Sequence, residues 1–154
     1  MDRSSVDRYL AGGEELRQVV KQLGGVPIDA HPIPGTWSIR QIVVHLMESD
    51  LIGSDRMKRI AAMENPLLVG YDESKFSELP GVEGIDIEQA AEIFSLNRRL
   101  TAQILRALPD DAFDRTGIHT EKGKVTLAEQ VQAYVDHLTY HLKFIEKKRA
   151  MLVK

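Results

Sequence analysis

The chain has 154 residues, 43% of them hydrophobic and 28% charged, with a formal net charge of −3; this suits a single domain, 1–154, with a proper core. It carries no long basic run, so nucleic acid has no electrostatic hold on it, and no apolar run approaches the length of a membrane span. The absence of cysteine excludes disulfides, cysteine-type zinc sites and a thiol nucleophile, and leaves His, Asp and Glu as metal donors.

The start, MDRSSVDRYLAGG, is charged and lacks an apolar signal core, so the cytoplasm is the expected compartment. A first amphipathic segment runs from about Ser5 to Leu23, with Val6, Tyr9, Leu10, Leu16, Val19, Val20 and Leu23 as its apolar side. Gly12 and Gly13 weaken its middle, and Gly24-Gly25 ends it. The second segment begins near Ser38, where Gln41 has capping-box spacing, and ends before Asn65-Pro66. Ile39, Ile42, Val43, Leu46, Ile52, Ile60 and Met63 repeat along it at helical intervals.

The third segment begins near Asp86 and stops at Pro109, with Ala90, Ile93, Phe94, Leu100, Ile104, Leu105 and Leu108 as core candidates. The fourth begins near Thr126, with Glu129 completing a second capping box, and continues through Leu127, Val131, Tyr134, Leu138, Ile145 and Leu152. Lys147, Lys148 and Arg149 near its end complement the helix dipole. Clean alternation is absent, although residues 117–125 can form a short hairpin about Lys122-Gly123.

These segments predict an all-α fold, a four-helix bundle. The connection from about Asn65 to Ile85 is long enough, at roughly 3.3 Å per residue, to travel the length of a bundle. Helices two and three can then run parallel. Tyr71, Phe76 and Leu79 on this crossover can pin it to the bundle or cover a pocket.

Three histidines carry the chemistry. His137 and His141 stand at i and i+4, which puts both imidazoles on one helix face. His45 lies beside the apolar stripe of the second segment. By a 1.5 Å rise, His45 sits roughly 10 Å from its helix start and the pair roughly 16 and 22 Å from theirs, so antiparallel helices let the three levels meet. Unpaired buried imidazoles are unfavourable, and a shared divalent metal satisfies all three while leaving positions open. The competing reading is three hydrogen-bonded histidines at a core edge.

The residues Pro34-Gly-Thr-Trp-Ser-Ile-Arg-Gln-Ile-Val-Val-His45-Leu and Asp136-His137-Leu-Thr-Tyr-His141-Leu resemble the second and last helices of the DinB-like superfamily. Tyr71-Asp-Glu-Ser-Lys-Phe and Asp110-Asp-Ala-Phe-Asp-Arg115 resemble its YfiT-type branch. The resemblance spans about residues 30–150. It implies a four-helix bundle with a long crossover, often dimeric, whose metal histidines map onto His45, His137 and His141, with nickel, zinc or iron bound. The branch is provisionally assigned as metal-dependent hydrolases, and related members transfer low-molecular-weight thiols such as bacillithiol to electrophiles.

Asn97 stands where a histidine is expected in close YfiT relatives, and Gln41 where a glutamate is common. The expected protein is thus a metal-dependent enzyme, hydrolase or thiol transferase, acting on a small molecule. The alternatives are a sensor or carrier that binds a metal or ligand without turnover, and a structural dimer with a relict site. Glu48, one turn beyond His45, is a candidate proton acceptor or imidazole-orienting group. Asn97 and His119 are candidate substrate contacts. His31 is expected to be structural, Asp136 points about 100° away from His137, and Trp37 is expected to anchor the helix entrance in the core.

Overall fold

The computed structural model describes residues 3–153. In chain order the helices are α1 (Ser4–Lys21), α2 (Ile39–Ala62), a short α3 (Glu73–Ser77), α4 (Ile87–Ala107) and α5 (Leu127–Leu152). The four long ones form the expected bundle. Their starts follow the expected chemistry. Ser38 and Gln41 cap each other reciprocally, as do Thr126 and Glu129, and Asp86 accepts from the Glu88 and Gln89 amides. Each such cap is worth about 1 kcal/mol.

Contacts set the helix directions. Arg3 and Asp7 of the α1 end meet Leu105, Arg106 and Leu108, whereas Gly13 faces Ser95, so α1 and α4 are antiparallel. Arg8 bonds Gln132 and Gly12 abuts Leu138, so α1 and α5 run the same way. Along α2, His45 meets His137 while Arg56 meets Tyr134, so α2 opposes α5. Helices α2 and α4 are therefore parallel: Arg40 bonds the Ile85 carbonyl near their starts, and Asp50 meets Asn97 and Arg98 further along. The long crossover makes this possible, as its length predicts.

The core has two apolar clusters, one around Leu16, Ile42, Leu46, Phe94 and Leu138, the other around Val6, Tyr9, Met57, Leu105 and Tyr134. A buried ion pair joins them. Arg98 donates from Nε to Asp50 at 2.9 Å, with both side chains 1% exposed. Its guanidinium lies over the Tyr9 and Phe94 rings, at 4.4 and 4.3 Å from their centroids, and donates to the Tyr9 and Tyr134 carbonyls. Gly12 weakens α1 by propensity, yet a Cβ there would come within 2.6 Å of this guanidinium. On α2, a Cβ at Gly53 would overlap the Tyr134 ring.

Three features differ from expectation. Ile93, Leu100 and Ile104 are exposed on α4 together with Leu96, because the opposite face of that helix, through Phe94, Arg98 and Leu105, turns inward. Met63 is 48% exposed at the α2 C-cap. Third, the hairpin exists, as β2 (Thr116–His119) paired antiparallel with β3 (Gly123–Thr126), but a further strand β1 (Leu67–Leu68) adds to β2 in parallel. This ties the crossover to the hairpin through Leu67–Ile118 and Leu68–His119 pairing. Among the described residues no helix is long and apolar enough to cross a membrane.

Candidate metal centre

Helices α2 and α5 bring His45, His137 and His141 together. His137 Nε2 lies 3.0 Å from His45 Nε2 and 3.1 Å from His141 Nε2, and one ligand atom from each of the three falls within 4.8 Å of the others. His45 and His141 are buried and His137 is half-buried. The rings pack edge to face, with centroids 4.5 to 4.9 Å apart. Trp37 lies against His45 at 4.7 Å and stacks on His141 at 6.2 Å, and Tyr140 closes on His141 at 5.1 Å. Trp37 is thus a wall of the site as well as a helix-entrance anchor.

Burial lowers all three imidazole pKa values. His45 falls to about 4, through desolvation and then the His141 charge. His137 falls to about 3, through desolvation and then His141 and His45. His141 falls to about 4 through desolvation. At neutral pH the imidazoles are therefore neutral and offer lone pairs.

The donor set fits a divalent metal. It is all nitrogen, which suits zinc, nickel or iron. Two nitrogens about 2.1 Å from one ion are separated by the observed 3.0 and 3.1 Å of the two His137 pairs when they subtend nearly a right angle, and the His45 and His141 ligand atoms, within 4.8 Å of each other, share the same ion when they stand no more than about 4.2 Å apart.

Two chambers meet at His137. The inner one, about 120 Å³, is lined by polar groups including Ser49, Arg56, Tyr71, His119, Gln130 and Tyr134. The outer one, about 480 Å³, is lined by Trp37, Ile42, Tyr140, His141, Phe144 and Lys148. Glu73, from α3 on the crossover, borders both. Lys148 does more than complement a dipole: it is 1% exposed and donates to the Thr36 hydroxyl.

Of the secondary candidates, His119 is brought to the site. It is 6% exposed, and its Nδ1 accepts the Glu121 and Lys122 amides, which leaves Nε2 as the proton-bearing nitrogen of the neutral ring. Asn97 is not. Its amide donates to the Asp50 carbonyl and carboxylate and accepts from Ser54, so it ties α4 to α2 away from both chambers. Glu48 is half-buried, its carboxyl pushed up by burial, and it forms part of neither chamber wall. His31 bonds the Thr36 carbonyl within its own loop, and Asp136 accepts from Gln132 on the exposed side.

Arg56, Glu73 and Lys148 were not singled out as site residues. Each is a charged residue on an amphipathic or loop segment, where sequence reads a solvated face.

The sequence match to the DinB superfamily runs over residues 9–145. A protein of Oceanobacillus iheyensis, provisionally named a metal-dependent hydrolase, is 28% identical over 130 residues, 84% of this chain and 75% of that one. A Bacillus mycoides protein with the same provisional name is 29% identical over 139 residues, 90% of this chain and 79% of that one. The solved structure of YfiT from Bacillus subtilis superposes with a TM-score of 0.85 at 27% identity, covering 96% of this chain and 87% of that chain. YfiT is provisionally described as a metal-dependent hydrolase with an unusual four-helix bundle topology. A DinB-like protein of the same organism, YjoA, shares the fold at a TM-score of 0.66 and 16% identity, covering 96% of this chain and 90% of that one. With parallel second and third long helices, histidines facing each other across the bundle, and a match running from the first helix to the last, this chain belongs to the DinB superfamily.

Proposed function

We propose that the protein is a metal-dependent enzyme in which His45, His137 and His141 hold a zinc, nickel or iron ion. It would act on an electrophilic small molecule with either water or a low-molecular-weight thiol as the nucleophile. The observation that carries this reading is the convergence of three Nε2 atoms in a buried, neutral cluster. Because imidazole ligands are neutral, the ion would keep its charge and favour the deprotonated form of a water or thiol.

The chain's own residues do the rest. Burial keeps the imidazoles unprotonated, and the Trp37 and Tyr140 rings hold their orientation. The apolar wall of Trp37, Ile42, Tyr140 and Phe144 receives the hydrophobic body of a substrate and excludes water from it. The provisional names of the relatives support hydrolysis. A thiol route requires sulfur from a second substrate, since the chain has no cysteine.

The test is metal content after purification. Wild-type protein is expected to hold about one ion per chain, and His137→Ala to bind it at least about tenfold more weakly, with unchanged helical circular dichroism. Metal-free wild type that is indifferent to the substitution would overturn the reading. A bound ion with neither hydrolysis nor thiol transfer across a panel of electrophiles would favour the sensor or carrier.

A further inference from the structure

Arg56 is an unusual resident of the inner chamber. It is 8% exposed, and two of its nitrogens are used: Nη2 donates to the Val69 carbonyl at 2.7 Å and Nη1 to the Tyr134 hydroxyl at 3.4 Å. The first ties the crossover to α2, and the second ties α2 to α5. Its third nitrogen, Nε, is buried with no hydrogen-bond partner. No carboxylate bonds to this guanidinium among the described residues, in contrast to Arg98, which has Asp50. A buried guanidinium with no carboxylate hydrogen-bonded to it, and only the exposed Glu73 and Glu121 in the same chamber, is costly, and an unsatisfied buried donor adds to the cost.

The groups around it define what would relieve this. Lys122 and His119 line the same chamber, His119 with a proton on Nε2. Glu73 and Glu121 also line it, as exposed carboxylates. They oppose a doubly charged ligand more than a singly charged one. The volume, about 120 Å³, admits a small group and not a whole metabolite. His137 stands on the wall shared with the outer chamber, so a molecule reacting at the histidines can extend one short arm inward.

We propose that the inner chamber is a carboxylate-binding subsite, in which the Arg56 guanidinium, supported by Lys122 and His119, holds a carboxylate carried by the molecule that reacts at the three histidines. This rests on the metal-dependent reading above. It assigns that enzyme a substrate or thiol cosubstrate bearing a carboxylate, with the apolar remainder of the bound molecules in the outer chamber.

The experiment is a titration of zinc-loaded protein with sodium acetate, ionic strength held constant with sodium chloride. The Arg56 Nε–H resonance, assigned with Arg56→Lys, is followed by NMR, and Tm is followed in parallel. A saturable shift of that resonance and an acetate-dependent rise in Tm are expected, with the Tm rise lost in Arg56→Gln. If Arg56→Gln does not fold because the Val69 bond is lost, Lys122→Met, which leaves that bond intact, is expected to weaken acetate binding two- to tenfold. No saturable shift up to about 100 mM acetate would overturn the proposal. So would inorganic phosphate binding more tightly than acetate at pH 7. Zinc stoichiometry on the same sample reads out the three-histidine site independently. If zinc fails to bind, that reading falls, and the titration of the metal-free protein still decides whether Arg56 holds an anion.

Discussion

At the residue scale, the three histidines make stability depend on pH in a defined direction. Their folded pKa values, about 4, 3 and 4, lie below the ordinary value near 6.5. Between the two, the unfolded chain binds more protons than the folded one. Stability from this source is full above about pH 6.5 and is lost as pH falls towards the folded values. Metal-free protein is therefore expected to melt at a lower temperature at pH 5 than at pH 7, and His137→Ala to show a smaller drop, as scanning calorimetry would measure. Equal drops in both would contradict the assignment.

The triad was legible in the sequence because its i, i+4 spacing and apolar neighbours are local. Arg56 was not, because its partners, the Val69 carbonyl on the crossover and the Tyr134 hydroxyl on α5, are distant in the chain. The position of Asn97 outside both chamber walls was not legible either: its partners Asp50 and Ser54 belong to another helix.

At the scale of elements, the helix starts were readable from caps, since Ser38, Asp86 and Thr126 act on amides two or three residues away. The inward face of α4 was not. Its apolar residues occupy both sides, and Arg98 rather than an aliphatic residue fills the centre of the buried face. The outward set, Ile93, Leu96, Leu100 and Ile104, forms a stripe three to four residues apart, each side chain at least 43% exposed. Such a stripe suits a second helix laid along it. We propose that the homodimer implied by the family resemblance would form through this face of α4. Leu100→Lys is expected to shift the mass found by light scattering from dimer to monomer without loss of helix. A wild-type monomer at about 100 μM, a concentration at which a standard-sized interface is occupied, would contradict this.

At the scale of the whole molecule, the parallel course of α2 and α4 was foreseeable from the length of the connection between them. The parallel strand pair was not, because two residues, Leu67 and Leu68, are too few to show a period. That pair has a consequence for the order in which the molecule assembles. Leu67 and Ile118 are about fifty positions apart in the chain, and closing so large a loop costs entropy before any bond repays it. The helices, by contrast, form from near neighbours. In pulse-labelled refolding, the Ile118 and Thr120 amides, which bond Pro66 and Leu68, are expected to gain protection after those of α1 and α5; simultaneous protection would refute it. The crossover that walls the inner chamber is then fastened last, and a refolding chain passes through a bundle that has its histidines but not yet its pocket.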